Sequence, residues 1–215
     1  VKKKTKQIMA VCALAAFGLW TSAVCLVDVR PIGPMGSRVG LASVNELFHR
    51  LTGVHMAVYT VTDWLGLAPF AAAAGFGLLG LRQWIQRKSL WKVDCDIRIL
   101  GVFYLAVMAA YAFFEIVVVN HRPVLIEGVL EASYPSSTTL LVMCVMPTAA
   151  VQLRRRIRNS WCRRVAEAII AVFTAFMIIG RLISGVHWLT DIAGGALLST
   201  GLVMLYSAAV HRERN

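Results

Sequence analysis

The chain reads as long apolar runs separated by short polar stretches. Uncharged runs cover 8–27, 64–81, 135–153 and 192–210, each near the roughly 17–25 residues a helix needs to cross a bilayer. Two further runs carry one charge each close to one end: 99–119 with Glu115 and 168–185 with Arg181. The pattern predicts an all-α polytopic membrane bundle of about six helices, treated as one membrane domain over 1–215. Between the first two runs, 28–53 holds Pro31, Gly33, Pro34, Gly36 and Gly40, after which Leu41, Val44, Leu47, Phe48 and Leu51 recur at helical spacing with Asn45, Glu46 and Arg50 between them. That spacing predicts a helix over 42–51, lying flat at the membrane surface or packed on the bundle.

Composition agrees: 58% of residues are hydrophobic and the mean hydropathy is +0.68, more than a soluble domain of this size needs for its core. Charge sets orientation. Of the 22 Lys and Arg, 17 lie at positions 2–6, 82–98, 154–164 and 212–214, which a six-span layout gathers on one side. Because short cytoplasmic loops are rich in basic residues, both termini are expected in the cytoplasm of a multi-pass plasma-membrane protein, bacterial in type. The net charge of +11 thus serves topology and anionic headgroups; nucleic-acid binding would need a basic soluble domain. The Lys-rich start followed by 8–27 is expected to be an uncleaved first helix rather than a secretory signal. Cys12, Cys25, Cys95, Cys144 and Cys162 show no disulfide framework and no metal-ligand spacing, so neither metal nor cofactor is expected. Oligomeric state is not encoded in any pattern here. The six Trp fall near predicted helix ends, as an interfacial belt places them, and Gly194-Gly195 suits close packing of the last helix.

Charge inside or at the edge of a membrane is costly, so each such group should have a partner or a task. Three clusters fall on the face opposite the basic loops: E-I-V-V-V-N-H-R-P over 115–123, Y-P-S-S-T-T over 134–139, and G-R-L-I-S-G-V-H-W-L-T-D over 180–191. Arg122 and Arg181 offer planar forks of donors suited to a phosphate. Ser136 and Ser137 stand where a helix begins, and first-turn N–H groups attract anions. His187 and Asp191 are four apart and share a helix face, so a carboxylate can orient one ring nitrogen while the other attacks a substrate. Asp63 is expected either to line the same cavity or to pair with an arginine, the latter being favoured, and His49 and His55 are expected at the surface.

These segments resemble the signature of the type-2 phosphatidic acid phosphatase and haloperoxidase family, K-x6-R-P, P-S-G-H and S-R-x5-H-x3-D, in order and spacing over 115–191. The resemblance implies a membrane lipid phosphatase that needs no metal. His187 would be the nucleophile that becomes a phosphohistidine, Asp191 its orienting partner, and Arg122, Ser136, Ser137 and Arg181 the phosphate ligands. The substrate would be a lipid phosphate or diphosphate presented at the extracytoplasmic face.

Three positions depart from the pattern. Glu115 replaces the first Lys, Ser137-Thr138 replace Gly-His, and Gly180 replaces the Ser before the last Arg. In the family the missing His protonates the leaving oxygen, and losing a general acid costs about two to four orders of magnitude in rate. Glu115, His121 and Thr138 are the candidate substitutes, although a threonine hydroxyl has no acidic proton. A diphosphate, whose leaving group is already good, would suffer least. The rival reading is a catalytically silent relative that binds lipid phosphates or scaffolds a partner.

Overall fold

A computed structural model of the chain describes residues 3–211; Lys2, Arg212 and Arg214, counted above on the basic side, lie outside the described residues. Eight helices follow in order: α1 (Lys3–Leu26), α2 (Ala42–Thr52), α3 (Met56–Leu65), α4 (Leu67–Arg87), α5 (Cys95–Ile116), α6 (Ser137–Arg156), α7 (Ser160–Ile183) and α8 (Leu189–His211). Helices α3 and α4 form one interrupted span, Met56–Arg87. The break sits at Gly66, where Pro69, having no N–H, cannot bond the carbonyl of Leu65 four residues back.

Five spans are long and apolar enough to cross a membrane: α1, α3 with α4, α5, α7 and α8. The sixth is α6. It lies against α4, α5, α7 and α8 and buries Thr139, Thr148 and Gln152 along with Leu140, Leu141, Val142 and Val145. A helix enclosed by other helices meets little lipid, so it tolerates polar groups that bond inside the bundle. Gln152 donates to the Tyr206 hydroxyl at 2.6 Å, and the Thr148 and Tyr104 hydroxyls are 3.2 Å apart. Around them Leu100, Phe103, Val107, Leu140, Cys144, Leu198 and Tyr206 make the apolar core.

Alternation of the helices separates two ends. One carries Arg87, Lys88, Lys92, Arg154, Arg155 and Arg156, several of them paired with the few acids there: Arg87 with Asp94 at 2.8 Å, Arg154 with Glu167 at 2.7 Å, Arg156 with Asp96 at 3.2 Å. The opposite end gathers the C-termini of α1, α5 and α7, the N-termini of α6 and α8, and α2 lying across them. Here α1 is pinned to α8 by Trp20, whose indole donates to the Thr190 carbonyl at 3.1 Å. Of the two facings open to helix α2, the structure has the apolar side outward, as at a membrane surface: Val44, Leu47 and Leu51 are exposed while Asn45 is fully buried. Ser43 N–H donates to Asp28 at 2.6 Å near the start of α2, and these bonds hold the Asp28 carboxyl below its ordinary pKa.

Two close approaches set the geometry at this end. At Gly194 an added Cβ would meet the Tyr134 ring at 2.7 Å, so the second turn of α8 lies directly on the segment leading into α6. At Gly180 it would meet the Thr62 methyl at 2.6 Å, which gives the departure from the family serine a physical reason: α3 occupies the space. Restoring that serine, Gly180→Ser, should therefore lower stability by about 1–3 kcal/mol, the usual cost of overpacking. The double variant with Thr62→Ser, which removes the obstructing methyl and keeps the hydroxyl, should recover most of it. Thermal unfolding in detergent checks both; a neutral single variant would show that the contact does not constrain the fold.

Candidate active site

The first cluster leaves α5 and turns back on itself. Arg122 N–H donates to the Glu131 carbonyl at 3.0 Å and Ser133 N–H to the Asn120 carbonyl at 2.9 Å. The turn is Glu127-Gly128, both at positive φ, closed by reciprocal bonds between Ile126 and Val129. Two central residues with φ > 0 make the turn that best matches strand twist. This small hairpin places Glu131 across from Arg122, whose Nε lies 2.9 Å from its carboxylate.

The third cluster is organised by Asp191, which is fully buried. Its Oδ2 accepts from Trp188 N–H at 2.9 Å, an acidic side chain reaching back to close the first turn of α8. Its Oδ1 accepts from the Asn120 amide at 3.3 Å, and the Ser133 hydroxyl lies beside it. Its backbone carbonyl takes Ser136 N–H at 3.0 Å. All three clusters thus meet at one residue. His187, 3% exposed, stands with Nδ1 3.7 Å from Asp191 Oδ2 and Nε2 3.5 Å from an Arg122 nitrogen. Burial first, and then the charges of Arg122 and Arg181, hold its pKa well below the ordinary 6.5, so the imidazole is neutral at pH 7. The loop before it depends on Gly185, at φ +69, where a Cβ would strike the Gly53 carbonyl.

Arg181, 2% exposed on the last turn of α7, donates to Thr138 Oγ1 at 2.6 Å and to Asp63 at 3.2 Å. Its Nε and Nη1 are buried without a protein acceptor. The Tyr59 ring from α3 lies 5.1 Å from the Arg181 guanidinium and 5.9 Å from that of Arg122. The site is therefore two buried guanidiniums, a neutral imidazole whose Nδ1 faces a carboxylate at 3.7 Å without a hydrogen bond, and the start of α6, whose first-turn N–H groups have no intrahelical acceptor. That set is matched to a tetrahedral oxyanion. No cluster of three metal-ligating side chains occurs among the described residues.

A family model, the PAP2 superfamily, matches residues 97–215, more than half of the chain. The chain belongs to the PAP2 superfamily. The crystal structure of a transmembrane PAP2-type phosphatidylglycerolphosphate phosphatase from Bacillus subtilis has a similar fold, with a TM-score of 0.60 over 96% of each chain at 20% identity. Among curated proteins there is no significant match. The chain is a multi-pass membrane protein with a PAP2 fold.

In this PAP2 bundle the sequence-predicted residues divide into those brought together and those left aside. Arg122, Arg181, His187, Asp191 and Thr138 converge. Ser136 is fully buried and caps α6, its hydroxyl accepting from the Thr139 hydroxyl at 3.1 Å, while Ser137 opens the helix. Glu115 is exposed on α5 beside Tyr111, with which it interacts, and His121 contributes its backbone carbonyl to the Trp188 indole at 2.7 Å. Neither side chain hydrogen-bonds to His187 or the arginines. Asp63 pairs with Arg181, as the cost of a charge in a span suggests. His49, expected at the surface, packs against Trp188, and Trp188 is buried rather than part of a belt.

Four contributors escape sequence reasoning: Asn45, Asn120, Glu131 and Tyr59. Asn45 donates to the Gly40 carbonyl at 2.8 Å and Thr190 Oγ1 at 2.9 Å, and Asn120 accepts from Gly40 N–H at 3.3 Å. This ties α2 and the outer loop to Asp191. Their partners lie up to 145 residues away, and no local pattern marks them.

Two buried guanidiniums with unmet nitrogens should respond to an anion whether or not any substrate is turned over. Inorganic phosphate at one hundred times its Kd should stabilise the protein by about 2.7 kcal/mol, and Arg181→Met should remove that protection. Melting curves in detergent with phosphate and with chloride at equal ionic strength provide the comparison; equal protection of both proteins would sever the pocket from Arg181.

Proposed function

We propose that this PAP2 protein hydrolyses or transfers the phosphate of a lipid phosphate or diphosphate through a phosphohistidine on His187. The observation that carries the reading is the burial of two arginines beside a neutral histidine at one end of the bundle. Arg181 keeps two nitrogens without acceptors there, at a desolvation cost that a bound phosphate would offset. Arg122 and Arg181 would hold equatorial phosphate oxygens, where charge develops in the transition state. His187 Nε2, on the Arg122 side, would attack phosphorus while Asp191 holds the opposite nitrogen. Arg181 and the first turn of α6, at Ser137 and Thr138, would complete the cradle, with Ser136 shaping it as the cap. The Bacillus subtilis relative of similar fold is named for phosphatidylglycerolphosphate, which agrees with a phospholipid phosphate as substrate class.

Orientation follows from charge. The basic end would face the cytoplasm by the positive-inside rule, with both termini there, and the His187 end would open to the extracytoplasmic side of a bacterial plasma membrane. The exposed Val44, Leu47 and Leu51 of α2 would then sit in the outer interface beside the substrate's entry. One observation favours the silent alternative: Thr138 occupies the family's acid position and is engaged by Arg181.

The test uses purified protein in detergent with labelled lipid phosphates and diphosphates. Release of phosphate, with an acid-labile labelled protein trapped on rapid quench, is expected from the unaltered chain and not from His187→Ala. Equal release by both would end the phosphohistidine reading. A second expectation concerns pH. A histidine whose pKa is lowered is neutral above that value, so nucleophilic activity is present at neutral pH and is lost only on acidification well below 6.5. The acid limb of kcat/KM, which reports the free enzyme, should lie below that value; a limb at 6.5 or above would show an exposed or charged histidine instead.

A further inference from the structure

If His187 forms a phosphohistidine, a proton must still reach the leaving oxygen, and the groups near the site narrow the source. Thr138 has no acidic proton and accepts from Arg181. Glu115 is turned out beside Tyr111. Asp63 accepts from Arg181 at 3.2 Å, and Glu131 is ion-paired with Arg122 at 2.9 Å. The imidazole of His121 makes no hydrogen bond among the described residues, and that residue reaches the site only through its carbonyl. Resting on the reading above, we propose that Tyr59 is the proton donor, taking the place of the histidine that the family pattern has at position 138.

Tyr59 belongs to α3, outside all three motifs, yet its ring spans both phosphate-binding candidates, 5.1 Å from the Arg181 guanidinium and 5.9 Å from that of Arg122. It is half-buried, and its hydroxyl makes no hydrogen bond among the described residues, so its proton is uncommitted. Asp63 and Glu131 also surround it within electrostatic reach. Tyrosine is among the side chains that serve as general acids. Here two adjacent cations would stabilise the phenolate left behind, and the ring's position over the guanidiniums fixes the donor before substrate arrives.

The step balances as follows. The lone pair on His187 Nε2 forms a bond to phosphorus as the bond from phosphorus to the leaving oxygen breaks, and that oxygen keeps the bonding pair. The Tyr59 proton moves to it, releasing a lipid alcohol or, from a diphosphate, a lipid monophosphate. Water then attacks the phosphohistidine, the phenolate takes the water's proton, and the N–P bonding pair returns to the imidazole, leaving inorganic phosphate.

Tyr59→Phe isolates the hydroxyl, because phenylalanine keeps a ring over the arginines. The purified full chain and this variant are compared on two substrates that differ in their need for a proton: a lipid monophosphate, whose alkoxide must be protonated as it leaves, and p-nitrophenyl phosphate, whose leaving group departs as the anion. The variant should lose about two to four orders of magnitude in kcat on the lipid monophosphate, the usual worth of a general acid, and less than about tenfold on the aryl phosphate. It should also keep the stabilisation by inorganic phosphate. Equal losses on both substrates, or no loss on either, would overturn the assignment. His187→Ala separates the two ideas: activity surviving in it on both substrates refutes the phosphohistidine, while inactivity there with an undiminished Tyr59→Phe refutes Tyr59 alone. No turnover of either substrate by the unaltered chain would remove both.

Discussion

A carboxylate at the head of a membrane helix has no water to share its charge, so its stability rests on donors supplied by the fold. Asp191 receives them from the backbone of Trp188 and the side chain of Asn120, with the Ser133 hydroxyl alongside, while its own carbonyl anchors Ser136 N–H. Those four partners come from the loop after α7, the hairpin after α5 and the start of α6. Removing the carboxylate would release a helix cap and uncouple the hairpin at once. His187 lies one turn before it, so the residue that orders the outer end also faces the imidazole, at 3.7 Å.

Charge at this end is arranged in alternating layers. Asp191 lies deepest, His187 next, then the two guanidiniums, then Asp63 and Glu131, with side chains 56% and 40% exposed. The two outer carboxylates keep Arg122 and Arg181 partly compensated, yet Arg181 makes both its bonds through one nitrogen and retains two others buried and unmet. Two like charges this close repel, and the same repulsion, added to burial, keeps the imidazole neutral. An entering phosphate dianion would reverse the sign of that local field.

Much of the frame is legible in the sequence because membrane physics writes it in composition and charge. Apolar runs mark α1, α5, α7 and α8, and the motif spacing brings Arg122, Arg181, His187 and Asp191 together. The start of the second span is not legible: α3 begins at Met56, and Asp63 and Thr62 look too polar until Arg181 and Gly180 are seen against them. Helix α2 shows the reverse difficulty. Its apolar stripe is plain in the sequence and faces outward, as an interfacial helix requires, but nothing in the sequence marks Asn45 as the buried position. Tyr59, Asn120 and Glu131 carry no pattern of their own, since what makes them part of the site is contact across long separations of chain.

The departures from the family pattern are physically coordinated. Glu115, which at a lysine position would bring the wrong sign into an anion pocket, is turned outward to Tyr111. Gly180 gives up a serine side chain, and the space is filled by Thr62 from α3. Thr138 stands where the pattern has a histidine, and its hydroxyl receives Arg181, fixing that guanidinium against the start of α6. Positions 138 and 180 thus both meet the surroundings of Arg181, where the Tyr59 ring of α3 lies near both arginines. They lie on α6 and α7 and meet around Arg181, the first by accepting its guanidinium and the second by admitting Thr62 of α3 against α7.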